Sequence, residues 1–78
     1  MDENLINQFA FEIFSRAKIL EAEFEVFKAQ KWLDYISGET DDKSVILLHQ
    51  SKVGITNRKL EELKSQIEEF KQKKEINN

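Results

Sequence analysis

Residues 4–37 read NLINQFAFEIFSRAKILEAEFEVFKAQKWLDYIS, and this stretch decides the fold of the chain. It contains neither proline nor glycine, and its apolar residues recur at alternating steps of three and four, the spacing that keeps side chains on one side of an α-helix. The stretch therefore predicts one long helix, capped by Asp2 or Asn4 and closed at Ser37 by Gly38, since glycine readily takes the left-handed conformation that ends helices.

Two apolar stripes run along this helix. The first stripe consists of Ile6, Ala10, Ile13, Ala17, Leu20, Phe24 and Phe27. The second stripe consists of Phe11, Ser15, Ile19, Ala22, Val26, Ala29, Leu33 and Ile36. At about 100° per residue, the two stripes lie on opposite faces, with charged residues between them. A helix in water with two apolar faces needs two neighbours.

A second helix follows a short polar loop. The sequence predicts a helix over residues 3–37, a loop over 38–42 (Gly, Glu, Thr, Asp, Asp), a second helix over 43–75 and a frayed tail over 76–78. Such a short loop makes consecutive helices antiparallel neighbours. The predicted fold class is therefore all-α, a single hairpin domain that assembles into a helical bundle.

The sequence around Gly54 leaves two alternatives for the second helix. Apolar residues from Ile46 to Phe70 keep one unbroken phase, which favours a continuous or kinked helix. Gly54 followed by Thr56, however, resembles a helix end and a new cap, with Ile55 and Leu60 placed as a hydrophobic staple. That arrangement would give three helices.

The first stripe is assigned to the core of the hairpin. Its predicted partners on the second helix are Val53, Leu60, Leu63, Ile67 and Phe70. In this register Leu20 faces Leu60 and Ala10 faces Phe70, while Phe27 faces Val53 and Gly54. The glycine would then make room for the Phe27 ring. The second stripe remains for a partner, and its predicted interface residues are Phe11, Ile19, Ala22, Val26, Ala29, Leu33 and Ile36.

The composition offers little for catalysis. The 78 residues include no cysteine, one histidine (His49) and only two isolated glycines, so neither a thiolate metal site nor a glycine-rich phosphate loop can form. A thin hairpin also encloses no pocket. We expect a protein that is not an enzyme and has no catalytic, cofactor or metal site.

The charges argue against nucleic acid or a membrane as the main partner. The net charge is −3, and the basic residues of the second helix alternate with acidic ones in ordinary helix-supporting pairs. No apolar run approaches the ~20 residues that span a bilayer, and the acidic start (Asp2, Glu3) is unlike a secretory signal. The expected location is the cytoplasm.

Three functional hypotheses remain. The first, which the sequence favours, is a small assembly protein that self-associates into a dimer or larger bundle through the second stripe. The second is an inhibitor or chaperone-like protein that binds another protein through that face. The third is an RNA-binding hairpin dimer, in which Phe11 stacks on an unpaired base.

Overall fold

A computed structural model describes residues 2–76 as two long helices, α1 (Glu3–Glu39) and α2 (Lys43–Ile76). They pack against each other in antiparallel directions and form a hairpin 59 Å long. The predicted all-α hairpin is confirmed. The tail predicted to fray lies outside the described residues, except for Ile76, which still belongs to α2.

An aspartate precedes each helix, and its side chain accepts a hydrogen bond from a free backbone amide. The carboxylate of Asp2 accepts a 3.0 Å hydrogen bond from the Asn4 amide, and that of Asp42 accepts one of 2.9 Å from the Ser44 amide. These are the bonds expected of N-cap residues, since the first amides of a helix have no partner within it. Of the two candidate caps for the first helix the structure selects Asp2, and Asp42 caps α2.

The predicted end of α1 at Ser37 is two residues too early. Gly38 lies inside the helix, and its φ is not positive. It therefore does not adopt the left-handed conformation that would end the helix. The helix ends at Glu39, and Thr40 follows in extended conformation with its amide donating to the Ile36 carbonyl over 3.1 Å. The Thr40 hydroxyl also accepts a bond from the Asp42 amide, which makes a tight loop of residues 40–42.

Helix α2 is continuous through Gly54, so the alternative with three helices is wrong. The hydroxyl of Thr56 does not cap a new helix. It donates to the carbonyls of Lys52 and Val53, at 3.0 and 2.9 Å, and so lies against the preceding turn. This is the usual way for threonine to satisfy its hydroxyl inside a helix.

The predicted packing of Phe27 on Gly54 is also wrong. A Cβ added at Gly54 would meet no atom within 4 Å, and Phe27 is exposed. Gly54 therefore costs helix stability without making room for a neighbour.

We expect Gly54→Ala to raise the free energy of unfolding by about 1 kcal/mol, because alanine has the better helix propensity and meets no steric conflict. Urea denaturation followed by circular dichroism measures the change. Gly38→Ala is the matched control: it also enters open space, but one residue from the end of α1 it should gain less. A loss of stability in Gly54→Ala would contradict the open environment of Gly54.

Candidate protein–protein interface

The second stripe of α1 forms the contact with α2. Ser15 is buried, and the other residues of this stripe are half-buried. On α2 the residues with reduced exposure follow the predicted spacing, and Leu60 is 8% exposed. The rings of Phe11 and Phe70 lie with centroids 4.7 Å apart, which places the far end of α2 beside the start of the second stripe.

The assignment of the two stripes made from the sequence is therefore reversed in the structure. The predicted hairpin core on α1, the first stripe, is exposed along its whole length. The predicted partner interface is instead the seam of the hairpin. The residues predicted on α2 remain in that seam, Val53, Leu60, Leu63 and Ile67 with reduced exposure and Phe70 through its contact with Phe11.

The loop explains why α2 packs on the second stripe. With only residues 40–42 between the helices, the seam must begin near the hairpin tip. The second stripe reaches the tip through Leu33 and Ile36, whereas the first stripe would continue into Lys31 and Asp34. Burying those two charges would be costly. The break at Lys31 was the signal in the sequence that could have identified the correct face.

Small residues in the second stripe also let α2 come close. Ser15, Ala22 and Ala29 recur every seven residues and alternate with larger apolar side chains. Such alternation lets the large residues of α2, among them Leu60, fill the space over the small ones. One imperfection remains: Ser15 is only 5% exposed, and its hydroxyl oxygen has no hydrogen-bond partner among the described residues.

The first stripe leaves a long apolar face open to solvent. Ile13, Leu20 and Phe24 are 69, 64 and 58% exposed, and the neighbouring large side chains on this side of α1 are similar. A half-exposed aromatic side chain leaves roughly 100 Å² uncovered. The large residues of this outer face are Ile6, Phe9, Ile13, Leu20, Phe24 and Phe27. Together they expose roughly 600 Å², the upper end for the largest apolar patch of a typical monomer.

Lysines lie over several exposed rings of α1. The ammonium nitrogens of Lys28 and Lys31 lie 5.1 and 5.4 Å from the ring centroids of Phe24 and Phe27. Cation–π contacts at exposed sites contribute about 0.5–1 kcal/mol each. Trp32 continues the aromatic surface towards the tip, where it forms an open groove with these residues. The aliphatic stems of the lysines can remain against a partner while their charges stay in water.

Three further features of the described residues bear on the kind of site they can form. Among residues 2–73, no three histidine, aspartate or glutamate side chains come together as a metal site would require. Neither described helix is long and apolar enough to cross a membrane. The grooves beside the helices are open rather than enclosed.

Comparison of the chain with protein-family models, curated proteins and solved structures found no match.

We expect the double substitution Val26→Glu with Leu33→Glu to unfold the hairpin. Both side chains are half-buried in the seam, and an unpaired charge there costs several kcal/mol, a large part of the stability of a small domain. Circular dichroism should show a marked loss of helix. A double variant that stays fully helical and cooperative would contradict the assignment of the second stripe to the seam.

Ser15→Ala should stabilise the protein by about 1–2 kcal/mol, because it removes a buried hydroxyl that has no partner and improves helix propensity. Ser65→Ala, at an exposed position of α2, is the matched control and should gain only the propensity difference. Denaturant unfolding measures both changes. If both variants raised the free energy of unfolding equally, the Ser15 hydroxyl would have a hydrogen-bond partner.

Proposed function

We propose that this chain is a small, non-enzymatic assembly protein that associates with copies of itself through the outer face of α1. The observation that supports the proposal most directly is the exposed first stripe, which runs opposite the hairpin seam. The sequence-based hypothesis of self-association is kept, but its surface changes. The seven residues of the first stripe replace those of the second stripe, which α2 already covers.

The size of the outer face suits a stable interface. Specific protein interfaces bury about 800 Å² on each partner. The roughly 600 Å² of exposed apolar surface, with its charged borders, approaches that area. Its aromatic residues, Phe9, Phe24 and Phe27, belong to the types enriched where proteins bind one another.

The small buried core of the isolated hairpin also supports assembly. Leu60, which is 8% exposed, is the only buried apolar side chain among residues 2–73. A domain of this size without disulfides or a structural metal commonly needs association to gain stability. Covering the first stripe would stabilise by about 25 cal/mol for each Å² of apolar surface removed from water, before the costs of association.

A different protein partner remains the alternative, since an apolar helix face can also take a helix of another chain. The RNA hypothesis has less support. Phe11, the side chain proposed to stack on a base, already packs against the Phe70 ring, with centroids 4.7 Å apart. On the outer face Lys28 lies over the Phe24 ring, but its charge is already paired with Glu25 at 2.9 Å.

The double substitution Leu20→Glu with Phe24→Glu should reduce the mass of the assembly while the hairpin seam remains intact, because a charge buried in an interface without a partner is costly. Sedimentation equilibrium measures the mass. Thermal unfolding at several protein concentrations adds a second test, since association makes the Tm of the wild type rise with concentration.

The matched control for this experiment is Leu47→Glu with Leu48→Glu. These leucines are also exposed, but they lie on α2, away from the outer face. The control should keep the wild-type mass and its dependence of Tm on concentration. Equal loss of mass in both double variants, or no loss in either, would contradict association through the first stripe.

A further inference from the structure

The first stripe has an uneven distribution of side-chain size. Its small residues, Ala10 and Ala17, lie in the N-terminal half of α1, and its bulky aromatic residues, Phe24 and Phe27, lie in the C-terminal half. Two copies placed in parallel would set alanine against alanine at one end and phenylalanine against phenylalanine at the other. The helices would then have to diverge, with voids at the alanine layers, which close packing disfavours.

An antiparallel arrangement removes this mismatch. We propose that the outer face of α1 binds a second copy of this chain in antiparallel orientation, in the register that places Ala17 opposite Leu20 of the other copy. The same register places Ala10 opposite Phe27 and Ile13 opposite Phe24. Every layer then combines a larger and a smaller side chain, so that the two helices keep an even separation. This inference rests on the proposed self-association.

The neighbouring registers pack less well. A shift of one heptad in one direction sets Phe27 against Glu3 of the other copy, and a shift in the opposite direction sets Ile13 against Lys31. In the proposed register Lys31 lies opposite Ile6 of the other copy, a pairing that occurs twice by symmetry. Lys31 then lies about one turn, roughly 5 Å along the axis, from Glu3 of the other copy.

Lys31 favours this orientation, whereas the last layer of the same register sets Glu3 against Asp34 of the other copy. A parallel pair would place Lys31 of one copy beside Lys31 of the other in the interface. The antiparallel pair instead brings Lys31 near Glu3, at the start of α1 of the other copy.

One border of the first stripe carries Arg16 and, seven residues later, Glu23. In the proposed register Arg16 of each copy lies beside Glu23 of the other copy. Arg16 would also meet a carboxylate, that of Glu21, in a parallel pair, so Lys31 and the packing decide the orientation.

The antiparallel pair makes a specific assembly. The two α1 helices form its centre, because their second stripes face away from each other, and each α2 lies outside. The two-fold axis passes between Lys18 and Ile19. The two hairpin tips therefore point in opposite directions, roughly 60 Å apart at ~1.5 Å for each helical residue.

Distances between spin labels test the orientation, and the absence of cysteine in the chain allows single labelling sites. We would attach a spin label to Asp41→Cys, in the exposed loop at the tip. Pulsed electron paramagnetic resonance then measures the distance between the labels of the two copies. Glu21→Cys is the control, since it lies on α1 near the predicted two-fold axis and is exposed. Its label should give a distance under ~30 Å in either orientation.

A distance of roughly 60 Å at position 41, with a short distance at position 21, is the expected result. Short distances at both positions would show a parallel pair and overturn this inference while leaving self-association intact. No coupling at either position, together with the mass of a single chain, would overturn both this inference and the proposed function.

Discussion

The close contact between the second stripe of α1 and α2 determines the rest of the structure. Ser15, Ala22 and Ala29 let α2 approach, and the three-residue loop requires the contact to start at the tip. Once α2 occupies that face, no other element of the described chain can cover the opposite one. The exposed first stripe is thus a direct consequence of the way the hairpin closes, and the functional proposal follows from it.

Much of the fold could be predicted from the sequence because the relevant signals are local. The spacing of apolar residues predicted both helices. The short polar loop that ends at Asp42 predicted that they are antiparallel. The α2 side of the seam was also correct, since α2 has a single dominant apolar phase from Ile46 to Phe70. A helix with one apolar stripe presents no choice of face.

The face of α1 could not be chosen with the same certainty, because both stripes satisfy the helical spacing. Pairing large with small residues fitted the first stripe in a plausible register, but that criterion ignored the tip, where Lys31 and Asp34 would have been buried. The cost of burying charge outweighs a modest gain in packing. The wrong choice of face also led to the wrong prediction that Phe27 packs on Gly54, because the Phe27 ring lies on the face of α1 away from α2.

Self-association, as proposed, requires that another copy of the chain cover the outer face of α1 in solution. Sedimentation equilibrium of the wild-type protein over a wide range of concentrations tests it most directly. We expect twice the mass of one chain, with dissociation only at the lowest concentrations. A folded, helical protein with the mass of one chain at every concentration would contradict it.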